Sequence, residues 1–316
     1  MTDFAASWLD LREPADHRSR NRALARALSA HVGGLDGLTI ADLGCGTGSN
    51  LRASAPLLPA AQSWTLIDSS QDLLDAAVER LEAWAEQADR EGETLLLAKG
   101  GKRIRVDFRR ADLARDLDAA LGHADLVAAS ALFDLVSADF IGRFAASLAR
   151  RRSAFYGVLT YDGRQAWTPA CEADADLLDA FNAHQRGDKG FGPAAGAQAS
   201  ARLGEALRAA GYAVLEGDSA WRLGPGEEAL IAQLAAGVAD AAQQTGLVDG
   251  ARIDGWRALR HDGALVGHTD LLALPRPAQP GENCGVGDGF APRSPHARCP
   301  ALSKHMPSMT PSLRTR

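Results

Sequence analysis

Cysteine is scarce in this chain of 316 residues. Cys45, Cys171, Cys284 and Cys299 are too few and too scattered for a disulfide framework. No run of about 18 apolar residues occurs, so no transmembrane helix and no membrane partner are expected. Met1-Thr2-Asp3-Phe4 is not a basic segment leading into an apolar one, so no secretory signal is read and the cytoplasm is the expected location. Lysine is also rare, because arginine supplies 30 of the 34 basic residues. Clustered positive charge is missing from most of the chain. Residues 275–316 hold six basic residues against two acidic ones, a balance of +4, so the net charge of −6 leaves −10 on residues 1–274. An acidic body of that kind argues against a phosphate-tracking surface, and no nucleic-acid partner is expected. Hydrophobic residues at 46% and charged residues at 23% exclude general disorder and a fibrous fold.

What is present is a rhythm of short apolar runs and amphipathic stretches. Leu38–Leu43, Trp64–Ile67, Ile104–Phe108, Asp125–Ala129, Ala154–Thr160, Tyr212–Glu216 and Leu265–Leu274 read as strands. Helical spacing is read over His17–Val32, from Ser69-x-x-Asp72 to Trp84, and over Asp139–Arg150, Ala199–Ala210 and Glu227–Gln244. This alternation implies an α/β fold, Rossmann-like, with a seven-stranded and mostly parallel sheet covered by helices on both faces. Residues 17–274 are the expected domain, 1–16 an N-terminal lid segment, and 162–196 an insertion without a clear repeat. Residues 275–316 hold 8 of the 14 prolines and are expected to be a disordered basic tail. The spacings of Cys284, Cys299, His296 and His305 in that tail match no zinc pattern, and no metal is expected.

The most informative stretch is Thr39-Ile40-Ala41-Asp42-Leu43-Gly44-Cys45-Gly46-Thr47-Gly48-Ser49-Asn50. A strand, a glycine turn and a helix start form a place where backbone N–H groups can approach a ligand. A phosphate-binding loop would need a Gly-Lys pair after the turn, and none follows. A dinucleotide turn would need glycine at position 49, which is Ser49. What stands here is an acid two residues before G-x-G-x-G.

This pattern resembles the first motif of class I S-adenosylmethionine-dependent methyltransferases. The resemblance implies that Asp42 lies near the methionine amino group and that Gly44, Gly46 and Gly48 let the backbone approach S-adenosylmethionine. It implies that Asp68, at the end of the second strand and 20 residues after Gly48, binds the ribose hydroxyls, and that Asp112 bonds the adenine amine. Residues 125–132 would end beside the methyl-transfer site. Cys45, as a small filler in the turn, and Ser69, Leu113 and Ser130 complete the expected cofactor set. An acid suits the sulfonium and ammonium of this cofactor better than a lysine-bearing phosphate cradle would.

Methyl transfer from a sulfonium is an in-line displacement that depends on positioning and on excluding water. A base is required only where the acceptor must lose a proton. The Asn/Asp-Pro-Pro-Tyr/Phe motif of many enzymes that methylate amino groups on nucleic acids or glutamine is absent after the fourth strand. A small-molecule acceptor, with anionic ones among the expectations, is therefore the first reading. A non-catalytic scaffold that binds the same cofactor, a protein or nucleic-acid methyltransferase and a nicotinamide oxidoreductase are the alternatives. On the acceptor side, Tyr161, Arg186 and Lys189, with His184 as a base, are read as a lid segment. A solvated loop held by Arg-Asp pairs is the other reading of that segment. Trp8 and Arg12 are read as closing over the cofactor, with a staple of Trp8 onto the sheet as the alternative. Asp134 is a pocket or turn residue.

Overall fold

The computed structural model describes residues 5–276. The chain divides into two units, 1–276 and 277–316. The second unit, where the disordered tail and its cysteines and histidines were expected, lies outside the described residues.

In chain order the elements are α1 (Ala6–Ser19), α2 (Arg22–Val32), β1 (Gly37–Leu43), α3 (Ser49–Ser54), β2 (Ala61–Asp68), α4 (Gln71–Trp84), β3 (Gln87–Glu91), β4 (Thr94–Lys99), β5 (Lys102–Arg110) and α5 (Leu113–Leu121). They continue as β6 (Leu126–Ser130), α6 (Ala138–Arg151), β7 (Ala154–Thr168), α7 (Asp174–Gln185), α8 (Ala199–Ala209), β8 (Tyr212–Asp218), β9 (Trp221–Leu223), α9 (Glu228–Thr245), α10 (Gly250–Arg257) and β10 (Gly263–Pro275). All strands join one sheet in the order β3-β4-β5-β2-β1-β6-β7-β10-β8, with β9 against β10. The run β5-β2-β1-β6-β7 is parallel, and β10 is antiparallel to both β7 and β8.

Alternation along each strand divides the core between the two faces of the sheet. Ile40, Leu66, Leu126 and Ala128 join one cluster with residues of α2, α4 and α9. Ala41, Leu43, Ile67, Val127 and Ala129 join the other with residues of α5, α6 and α8. The two sets differ by one residue along the chain, as a period of two requires.

The seven expected strands are all present, and three more accompany them. The extra pair β3–β4 is a hairpin added to the β5 edge. Its turns carry Gly92, Gly100 and Gly101, all with positive φ, and Gly100-Gly101 is the two-residue hairpin signal that a reading by hydrophobic runs passes over. β3 is exposed along its whole length, so it carries no apolar pattern.

Two further expectations are corrected. The single helix read over His17–Val32 is two helices, because the Asn21 side chain accepts from the N–H groups of Ala23 and Leu24 and starts α2 afresh. Asn21 N–H itself donates to Asp270 Oδ2 at 2.7 Å. The stretch 162–196 is largely regular: β7 runs to Thr168 and α7 covers Asp174–Gln185, which leaves 169–173 and 186–195 as the irregular parts. The polar outer half of β7 hid this, since Gln165 pairs with Val266 while Asp162, Gly163 and Arg164 fall at a register shift between β7 and β10, so no apolar alternation marks the strand.

Candidate cofactor and acceptor site

In a parallel sheet, ligands sit beyond the carboxyl ends of the strands, where neighbouring connections diverge. That place here is between β1, which leads toward β2 on one side, and β6 on the other. The turn after β1 carries left-handed backbone at Gly44, Gly46 and Gly48, with φ of 62°, 53° and 77°. These are conformations that side-chain-bearing residues rarely adopt. A Cβ on Gly46 would lie 2.9 Å from Leu9 Cδ1 of α1, and one on Gly44 would lie 3.2 Å from Leu132 Cδ1. The turn is pinned by Cys45 N–H donating to the Ile67 carbonyl at 3.0 Å. Asp68 completes it: Oδ2 accepts from Gly46 N–H at 2.9 Å and Oδ1 from Ser70 N–H at 3.0 Å.

One cavity gathers Gly44, Cys45, Gly46, Asp68, Ser69, Asp112, Leu113, Ser130, Arg12 and Lys189, residues that lie as far as 177 positions apart in the chain. Asp112 caps α5, accepting from Ala114 N–H at 3.0 Å. Leu9, Asp16, Thr47, Ser49, Asn50 and Phe191 also line the cavity, and sequence reasoning had not chosen them. Ser49 and Asn50 follow the glycine turn directly. Asp16 is the last residue of the expected lid segment, 1–16, and was not among the residues chosen there.

α1 lies over the glycine turn and is clasped to the domain by charge. Arg80 of α4 pairs with Asp10 through two contacts of 2.6 Å. Arg52 Nε donates to Glu13 at 2.8 Å, while Arg52 Nη1 donates to the Thr47 carbonyl at 2.7 Å. His17 Nε2 lies 2.9 Å from Ser49 Oγ. Burial holds the His17 ring below its ordinary pKa, with Arg20 adding to the effect. Arg12 is matched by Asp16 at 2.9 and 3.2 Å, and its guanidinium stands over the Trp221 ring.

The other sequence candidates do not line the cavity. Asp42, expected near the methionine amino group, is completely buried, and its Oδ1 accepts from Asn50 Nδ2 at 2.6 Å. Its influence therefore passes through Asn50. Burial pushes its carboxyl up to about 7. Gly48 precedes α3, and a Cβ there would touch Leu81 of α4 at 3.5 Å, so it serves helix packing. Trp8 packs partly buried against the core. Asp134 is buried, and burial raises its carboxyl to about 6. Tyr161 Oη donates to Asn182 of α7 at 3.0 Å.

His184 was read as a base on a mobile segment. It sits instead in the last turn of α7, with Nε2 3.0 Å from Gln244 Oε1 of α9. Helix geometry turns it toward the α7–α9 contact and away from the cavity lining. Arg186 is exposed just beyond that helix. No trio of His, Cys, Asp or Glu side chains suited to a metal ion occurs among the described residues.

The donor set fits S-adenosylmethionine. Two carboxylates, Asp68 and Asp112, flank a glycine cradle that a side chain at Gly44 or Gly46 would fill. A diol and a cationic ligand match that chemistry. A phosphate-bearing one does not, because the turn itself carries no basic residue.

Residues 40–152 match the family described as methyltransferase domain. A cyclopropane-fatty-acyl-phospholipid synthase-like protein from Lactobacillus casei has a similar fold, with a TM-score of 0.50 at 15% identity over 83% of this chain and 99% of that one. The YcgJ protein of Bacillus subtilis superposes with a TM-score of 0.48 at 12% identity, over 81% of this chain and 100% of its own. Magnesium protoporphyrin IX methyltransferase from Synechocystis, solved with bound S-adenosylmethionine, gives 0.38 at 14% identity, over 82% and 80% of the two chains. No curated protein sequence matches this chain. Residues 40–152, which hold the acid-flanked glycine turn, are thus similar to the methyltransferase domain family.

Proposed function

We propose that this enzyme methylates a small-molecule acceptor in the cytoplasm. S-adenosylmethionine supplies an electrophilic methyl group on a sulfonium, so the chain's own task is to hold two ligands in line and keep water out. Asp68 is assigned to the ribose hydroxyls and Asp112 to the adenine edge. The backbone of Gly44–Gly46 and the Asn50 side chain, which Asp42 orients, face the methionine portion. The acceptor is assigned to the part of the cavity bordered by Arg12, Leu135, Lys189 and Phe191.

The observation that carries this reading is the roofing of the cavity. α1 closes it from one side, through Leu9 and Arg12, and residues 186–195 close it from another, through Lys189 and Phe191. A cavity walled in this way suits a compact acceptor better than a polymer laid across an open surface. The acidic charge of residues 1–274 works against nucleic acid as well.

The test is to incubate the full chain with methyl-labelled S-adenosylmethionine and a cell extract divided into metabolite, protein and nucleic-acid fractions. Label is expected in the metabolite fraction. Label confined to protein or nucleic acid would contradict the assignment, and binding of the cofactor without labelling of any fraction would favour a non-catalytic role.

A further inference from the structure

Five charged side chains line the cavity: Arg12, Asp16, Asp68, Asp112 and Lys189. Arg12 and Asp16 cancel one another in a bidentate pair. Asp68 is engaged by two backbone N–H groups, and Asp112 caps a helix with Arg115 at 3.6 Å. Lys189 alone makes no hydrogen bond or ion pair within the described residues.

Its presentation is built. The preceding Asp188 turns its carboxylate back into its own loop, where Oδ1 accepts from Gly190 N–H at 2.7 Å and Gly192 N–H at 2.9 Å. Gly190 and Gly192 take φ of 101° and 83°, which lets the chain fold tightly round that carboxylate. Asp188 is thereby turned into its own loop and makes no ion pair with Lys189. The loop is anchored to the segment just before α6: Ala195 N–H donates to the Val136 carbonyl at 2.7 Å, and Ser137 bridges to Ala194. Phe191 packs edge-on against Phe140 of α6, with ring centroids 4.9 Å apart. With Leu132 and Leu135 it gives this part of the cavity an apolar wall beside the ammonium.

We infer that Lys189 is a specificity-determining residue, and that the acceptor has an apolar body carrying an oxyanion, a carboxylate or a phosphate, which this ammonium engages. An unpaired cation in a half-enclosed site favours a ligand group of opposite charge and rejects a neutral analogue that leaves it unpaired. The inference rests on the methyltransferase reading and adds the chemical class of the acceptor.

The test uses the full chain saturated with S-adenosylhomocysteine and titrated with benzoate, phenyl phosphate and the neutral benzamide, read by calorimetry or ligand-observed NMR. At least one oxyanion is expected to bind, and the preferred one tells carboxylate from phosphate. Benzamide is expected to bind at least about tenfold more weakly. Lys189→Gln should weaken the oxyanion about tenfold or more and leave S-adenosylhomocysteine affinity unchanged, and Lys189→Arg should restore part of it. Equal binding of benzoate and benzamide, binding of no oxyanion, or oxyanion binding untouched by Lys189→Gln would overturn the inference. Loss of S-adenosylhomocysteine affinity in Lys189→Gln would overturn it too, by placing the lysine in the cofactor half. A wild-type chain that does not bind S-adenosylhomocysteine would instead remove the methyltransferase reading beneath it.

Discussion

The Asn50 side-chain amide donates to Asp42 Oδ1 at 2.6 Å, and this contact couples a buried acid to the floor of the cofactor cavity. Asn50 Oδ1 in turn accepts from Arg20 Nη1 at 2.9 Å, and Ser54 Oγ lies 3.0 Å from the same guanidinium nitrogen. Asp42, Asn50 and Arg20 are all buried. The acid that marks the glycine motif in the sequence thus does not line the cavity itself but contacts Asn50, which does.

This arrangement sets a pH dependence. Burial raises the Asp42 carboxyl to about 7 in the folded chain, against an ordinary value near 3.9 when unfolded. Between those values the folded state binds more protons than the unfolded one, so stability falls as pH rises from about 4 to 7 and then levels off. Asp134 and Asp270, also raised by burial, act in the same direction. Asp42→Asn keeps an oxygen for Asn50 and removes one titration. Thermal melts across this range should show a shallower slope in the variant, with the wild type losing ground toward pH 8. An undiminished slope in Asp42→Asn would assign the pH dependence elsewhere.

Gly46→Ala should cost about 1–2 kcal/mol of stability, the ordinary cost of left-handed backbone in a residue with a Cβ. It should also push Leu9 off the turn and weaken S-adenosylmethionine binding. Gly92→Ala is the control, since Gly92 has a similar φ of 63° with open space around it. Its melting temperature should fall comparably while cofactor affinity stays at the wild-type value.

The clasp on α1 predicts a kinetic effect. Arg80→Gln breaks a largely exposed pair with Asp10 and should change stability by less than about 1 kcal/mol. Glu13→Gln leaves the buried Arg52 without its carboxylate and should cost about 1–3 kcal/mol. Both should speed cofactor release in a stopped-flow chase, Glu13→Gln the more. Unchanged release in both would mean that α1 does not gate the cavity.

The residues proposed to hold the cofactor could be picked out of the sequence together because they lie in short, ordered segments. Gly44, Cys45 and Gly46, then Asp68 and Ser69, then Asp112 and Leu113, each end one strand of a parallel sheet, so order in the chain becomes proximity in space. The acceptor half was harder. Lys189 stood out by rarity, but His184, five residues away, faces α9 because helical geometry decides where α7 points its side chains. The break at Asn21 carries one local sign, an asparagine that caps α2, while the contact of its N–H with Asp270, 249 residues distant, has none. The β3–β4 hairpin, exposed on its outer strand, had no hydrophobic period to betray it.

The most direct measurement is a calorimetric titration of S-adenosylmethionine into the wild-type full chain and into Asp68→Asn. The substitution keeps one acceptor oxygen for the turn while removing the charge, and its melting temperature serves as the check on folding. One binding site is expected in the wild type, weakened about tenfold or more in a folded Asp68→Asn. No binding to the wild type, or equal affinity in both proteins, would contradict the assignment of this cavity to the cofactor.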